Sequence, residues 1–323
     1  MKSGSHFLLV LLMMVIIISF KSCNDEIDPV YRDSMREFVG SISSYAKSDH
    51  PDFIIIPQNG HELVSVNGEP DGDPHTDYLD AIDGAGQEDL FYGYSADDRA
   101  TPLEETNYLL GFLKKCEEHD VEVLVTDYCS SIEKSEDSYY VNEQEGFISF
   151  AAPDRELSTI PASHAIYNEN TDDIARLGEA RNFLYLINPD QYASKTELVN
   201  AISATNYDLL ILDLFVGVTQ LTTNDLTKLK IKANGASRLV IAYMSIGEAE
   251  NYRYYWNTEW EDERPDWLEK ENPRWEGNFK VQYWNPEWQA IIFGKEESYL
   301  DKIISAGFDG VYLDIIEAFE YFE

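Results

Sequence analysis

Phe308-Asp309-Gly310-Val311-Tyr312-Leu313-Asp314 reads as a short buried strand that ends on a carboxylate. Val, Tyr and Leu suit a pleated, buried surface, so Asp314 falls where the strand leaves the core. Only a short segment follows, and a helix to cover this strand must come from elsewhere. Residues 31–47, at the opposite end, are the expected donor. This connectivity predicts an α/β (β/α)8 TIM barrel, circularly permuted so that the chain starts with a helix and ends just after a barrel strand.

Seven further apolar, β-branched runs support that class: residues 53–57, 78–82, 121–125, 182–187, 208–212, 239–243 and 279–283. With 310–313 they make eight, each followed by a helical or polar connection, as in a parallel sheet buried on both faces. Residues 147–151 compete for membership or form a hairpin in an extended loop. Helical connections are expected at 103–118, 172–180, 195–204, 224–233 and 286–306. The last opens on Asn285 and Pro286 and closes at Gly307.

The first residues set the compartment. An unbroken apolar block from Phe7 to Ile18 is too short for a bilayer span, which takes about 20 residues, and suits a signal peptide. Cys23 follows Ser22 as in a bacterial lipobox, so residues 1–22 read as a lipoprotein signal peptide and Cys23 as the lipidated site, the chain's contact with a membrane. Residues 23–30 read as an acidic tether and 31–323 as one domain. The expected location is an outer-membrane lipoprotein, surface-exposed or periplasm-facing. Beyond Cys23 only Cys116 and Cys129 remain, too few for a disulfide framework. The formal charge of −36 opposes phosphate binding and excludes nucleic acid as a partner.

Chemistry in this architecture sits where strands end. The sequence puts Asn59, Glu88, Asp89, Asp127, Asn188, Asp213, Glu248 and Asp314 there, a mostly acidic ring. Clustered carboxylates resist being buried together unless they pair or share protons, so a ring of them points to function. All six tryptophans fall between 256 and 288, and indole faces stack on the apolar faces of sugars. No histidine pair has a recognised metal-ligand spacing, and there is no phosphate-cradling or dinucleotide loop. No metal and no cofactor is expected.

YMSIGEAENYRYYW (243–256), NFKVQYWNPEW (278–288), GFDGVYLDIIEAFEYF (307–322), FIIIPQNG (53–60) and QEDLFY (87–92) resemble segments of the TM1410/MJ1477-type extracellular proteins. Those are relatives of the family-114 glycoside hydrolases, described as endo-α-1,4-polygalactosaminidases. In the relatives the IIPQNG-like and EDLFY-like segments follow the DGVYLD-like strand, whereas here they precede it, which agrees with a circular permutant. The resemblance implies Asp314 as nucleophile, Glu88 as acid/base and, by family likeness, retention of anomeric configuration. Position adds Asn59, Asp127, Asp213, Glu248, Arg253 and Glu317 as substrate-binding groups, with Tyr283 and Trp284 as stacking faces. Glu317 and Ile315 depart from the aspartate and asparagine of the enzyme motif.

The expected partner is a polysaccharide or oligosaccharide, α-linked, amino-sugar-containing or neutral. Two rivals stand beside hydrolysis: a non-catalytic glycan-binding surface lipoprotein and a polysaccharide deacetylase.

Overall fold

The computed structural model describes residues 29–162 and 165–323. The signal peptide, Cys23 and most of the tether lie outside the described residues.

Among the described residues, eight parallel strands form two sheets. We number them β1 (Ile54–Pro57), β2 (Gly84–Glu88), β3 (Glu122–Tyr128), β4 (Ile148–Ala152), β5 (Phe183–Leu186), β6 (Leu209–Asp213), β7 (Leu239–Ser245) and β8 (Gly310–Asp314). One sheet has the order β1-β8-β7-β6-β5, with Ile56 opposite Tyr312 and Tyr312 opposite Tyr243. The other has the order β2-β3-β4. Backbone bonds link them on one side: Asn59 N–H donates to the Gly86 carbonyl (2.8 Å) and Asp83 N–H to that of Ile55 (2.9 Å). On the other side β4 lies against β5, with the Phe150 and Phe183 rings 5.7 Å apart. Nearly every strand residue is buried, because helices and loops cover one face and strand side chains fill the other.

Two of the eight expected strands are placed differently. Residues 78–82 lie in and just after a helical turn, Thr76–Leu79, and the strand is Gly84-Ala85-Gly86-Gln87-Glu88. Small residues are required there, since a Cβ on Gly86 would come within 2.1 Å of the Tyr312 hydroxyl. Residues 279–283 give no parallel strand either. Asn278–Val281 is instead the centre of an antiparallel sheet, between Glu248–Glu250 and Leu268–Glu271. Its buried residues alternate, as in a sheet with one face in the core. The segment 147–151 supplies β4, parallel to β3.

The helix Pro29–Asp49 buries Met35, Phe38, Val39, Ile42 and Ala46, an amphipathic stripe at helical spacing. It is fastened to the far end of the chain. Arg32 forks onto the Glu323 carboxylate (2.9 and 3.1 Å), the Tyr45 hydroxyl donates to Asp301 (2.9 Å), and Phe38 and Tyr45 pack on Phe293. The expected helix 286–306 is two: Pro286–Ile292, capped by Asn285, and Tyr299–Ala306, capped by Ser298. The break comes at Phe293, which is extended to reach those rings, and at Gly294 with φ +88°. The expected helix 172–180 is only a 3-10 turn at Leu177–Glu179, and an unexpected helix runs Ile132–Glu145. Cys116 and Cys129 are buried free thiols.

Candidate active site

Asp314 ends β8 and Glu88 ends β2, and both face a cavity of about 570 Å³. Parallel strands deliver their last side chains to the same edge, which is why acids so distant in sequence meet. Glu88 is held from three sides. Its Oε2 accepts from Gln58 Nε2 (2.5 Å) and Asn59 Nδ2 (3.1 Å), and its Oε1 accepts from the Tyr128 hydroxyl. Tyr185 fixes the Gln58 amide by donating to its Oε1 (2.9 Å), which leaves the amide nitrogen turned to Glu88. Asp314 accepts from the Tyr243 hydroxyl (2.6 Å).

Burial pushes the Asp314 carboxyl up to about 7, with the charge of Glu88 adding to it and the Tyr243 bond opposing. Glu317, one turn beyond, lines the same cavity, and its Oε2 is buried without a hydrogen-bond partner. Burial, then the nearby Asp314 charge, holds its carboxyl well above the usual carboxylate range. Burial raises Asp213 as well, but Arg253 counters it: the guanidinium pairs with Asp213 (2.6 Å) and with Glu250 (2.5 Å). On the opposite wall Arg155 pairs with Asp97 (2.6 Å) and Asp89 (3.2 Å), with its guanidinium 4.3 Å from the Tyr128 ring centroid. Among the cavity's lining residues, these two paired arginines face many more carboxylates. The mouth favours cations.

Backbone strain marks both acids. Asp89 (φ +60°) follows Glu88, and Ile315 (φ +60°) follows Asp314. A β-branched residue in the left-handed region is an outlier, and such outliers gather at functional sites.

The site therefore brings together Asp314, Glu88, Asp213, Arg253 and Glu317, with Asn59 behind Glu88. Four expected members serve elsewhere. Asp127 is fully buried and accepts from the backbone N–H groups of Phe91 and Tyr92, from Ser138 and from Asn142, which ties down the loop after Glu88. Glu248 is buried and accepts from Asn272 (2.8 Å), Asn278 (3.3 Å) and Tyr321 (3.1 Å). Tyr283 is fully buried, its hydroxyl donating to the Tyr31 carbonyl (2.7 Å). Trp284 is wedged between the Tyr31 and Phe322 rings at 5.2 and 4.7 Å. Neither aromatic offers the cavity a face, because both pin the first helix to the end of the chain.

Sequence reasoning missed Gln58, Tyr128, Tyr185 and Tyr243. Gln58 stands one place before Asn59 and Tyr128 one after Asp127, so extending the strand-end rule by one residue finds those two. Tyr185 and Tyr243 project from within strands, where a tyrosine looks like core.

Comparison with known proteins adds a partial match. Residues 187–322 match the profile of glycoside-hydrolase family GH114. That segment holds Asp314, Glu317, Asp213 and Arg253; Glu88 and its clamp lie outside it. The chain is also 42% identical over 156 residues to "Uncharacterized protein MJ1477" of Methanocaldococcus jannaschii, covering 47% of this chain and 41% of that one. An "Uncharacterized protein" of Thermotoga maritima is 39% identical over 120 residues (37% of this chain, 36% of that one), and one of Deinococcus radiodurans 40% over 125 (38% and 37%). The chain thus spans less than half the length of the curated relatives it matches. The segment 187–322 is related to GH114, and that relationship points to glycoside hydrolysis.

Proposed function

We propose that this protein hydrolyses an α-linked polysaccharide, with Asp314 as nucleophile and Glu88 as acid/base. One observation carries it: two carboxyls from the tips of β8 and β2 open into one cavity. In this reading Glu88 protonates the glycosidic oxygen as Asp314 attacks the anomeric carbon. Glu88 then takes a proton from the water that releases the sugar, and configuration is retained. A nucleophile must be ionised, and a cationic sugar in the acidic mouth favours that form. An amino-sugar polymer is therefore the preferred substrate, with neutral α-glycans the alternative.

The two sheets, joined through β1 and β2 and abutting at β4 and β5, support a closed (β/α)8 barrel. The helix Pro29–Asp49, fastened beside the last helices, supports the permuted order. The proposal extends to a lipid anchor at Cys23 and an outer-membrane location.

The test is a screen of the soluble domain against an α-1,4-linked galactosamine polymer and amylose, with Asp314→Asn and Glu88→Gln alongside. Release of reducing ends by wild type, reduced about 10²–10⁴-fold in Glu88→Gln, is the expected result. Full rates in both variants refute the assignment, and binding without turnover in wild type favours the glycan-binding rival.

A further inference from the structure

The antiparallel sheet beside the cavity ends in an aromatic rim. Glu250 pairs with Asn278 in its ladder, and just beyond that pair Asn251 N–H donates to the Gly277 carbonyl (2.8 Å). These bonds hold two short loops side by side. One presents Tyr252 and the other Trp275, and both line the cavity. They are the exposed aromatics of this wall, Tyr252 at 59% and Trp275 at 52%. Other tryptophans of the same stretch are spent on packing: Trp267 and Trp288 are buried, and Trp256 and Trp260 pack into the core.

Rigidity separates this rim from two rings left out by chance. The Trp275 loop is a closed turn: Trp275 N–H donates to the Asn272 carbonyl (3.2 Å) and Asn278 N–H to that of Trp275 (3.2 Å). The Tyr252 hydroxyl donates to Glu250 Oε1 (2.6 Å), and the Arg253 guanidinium lies 5.3 Å from its ring centroid. Glu250 and Arg253 belong to the acidic lining itself. The aromatic rim and the acid pair are thus parts of one wall.

We infer that Tyr252 and Trp275 form a stacking subsite at the rim of the cavity, for the part of a glycan chain that extends beyond the acid pair, so that the protein engages chains longer than the acids alone contact. The inference rests on the glycan reading above. A sugar ring offers apolar C–H faces to the indole and phenol while its hydroxyls stay in water, which is how a surface ring gains binding energy without a deep pocket.

The test uses the full domain carrying Asp314→Asn, so that chains are bound and not consumed. Affinity electrophoresis is run in gels containing the α-1,4-galactosamine polymer or amylose. Adding Trp275→Ala or Tyr252→Ala weakens retardation by about 3- to 10-fold in apparent Kd. Tyr252→Phe, which keeps the ring, retains most of the affinity. In the wild-type background Trp275→Ala narrows the preference for long chains over two- and three-unit fragments, through KM. Equal retardation of Trp275→Ala and its parent overturns the subsite while leaving the active-site reading intact. No retardation of the Asp314→Asn protein by either polymer overturns both.

Discussion

Asp314→Asn should make this protein more stable and less active, and its stability gain should depend on pH. Burial lifts the Asp314 carboxyl from its ordinary 3.8 to about 7. The folded state then holds this proton more tightly than the unfolded chain. A group raised in this way contributes most below about pH 4; stability falls as pH climbs from about 4 to about 7, and is flat above. Three pH units at about 1.36 kcal/mol each set a ceiling of about 4 kcal/mol. Asp314 is half-buried and interacts with Glu88, so roughly half of that ceiling is a better expectation. Asparagine has nearly the same shape, can still accept from the Tyr243 hydroxyl and has no proton to lose. At pH 8 the variant should exceed wild type by about 2 kcal/mol, or roughly 3 °C in Tm for a chain of this length; at pH 4 the two should coincide. Thermal melts of both proteins from pH 4 to 8 measure this directly. A gain that is absent at pH 8, or as large at pH 4, refutes the electrostatic account of the site.

The same titration fixes the sign of the pH–rate profile. If Asp314 attacks as a carboxylate, kcat/KM rises with pH through about 7, whereas a fall through that range in the initial rates would make Asp314 the proton donor and reverse the roles. Gly86→Ala puts a Cβ about 2.1 Å from the Tyr312 hydroxyl and should cost about 1–3 kcal/mol in urea unfolding; Tyr312→Phe removes the obstructing oxygen and should restore part of that, so an additive double mutant would refute the clash. Gly247→Ala meets the Ile315 carbonyl at 2.1 Å. No side-chain change can clear a backbone obstacle, so this variant should lose stability and turnover together, and a fully active Gly247→Ala would show that the turn behind Asp314 is free to move.

Legibility of the fold followed composition. β5, β6, β7 and β8 are aliphatic runs in a buried parallel sheet and are visible as such. β2 is Gly-Ala-Gly-Gln-Glu, with Gly86 bare because Tyr312 occupies the space a side chain would need and Gly84 bare because Leu177, Ile56 and the Glu122 carbonyl crowd it. A strand shaped by its neighbour's bulk carries no propensity of its own, and the apolar stretch before it drew the assignment instead. Asn278-Phe279-Lys280-Val281 did carry a signal, a polar–apolar alternation foreign to a strand buried on both faces. Asp314 was legible as the tip of its strand, whereas Glu88 was reached only as a loop residue beyond the misplaced strand 78–82, and the roles given to both came from the family resemblance. The hydroxyl–amide relay from Tyr185 through Gln58 to Glu88 was not legible, because hydrogen bonds between residues 127 apart leave no local pattern.

The strained turn after Asp314 shows how stability and chemistry are joined here. Ile315 in the left-handed region costs roughly 1–2 kcal/mol relative to an ordinary conformation. The conformation persists because the surroundings fix it. The Asp314 carbonyl accepts from Ile246 N–H (3.0 Å), the Ile315 carbonyl fills the space beside Gly247, and Ile316 is buried in the core. A relaxed, extended Ile315 would carry the chain on along the β8 axis and remove Glu317 from the cavity wall. The left-handed residue turns the chain aside at once, so that Asp314 and Glu317 both border one cavity and the Asp314 charge adds to the burial that raises Glu317's affinity for a proton. The strain thus brings the two carboxyls together, and Gly247 provides the room in which it is held.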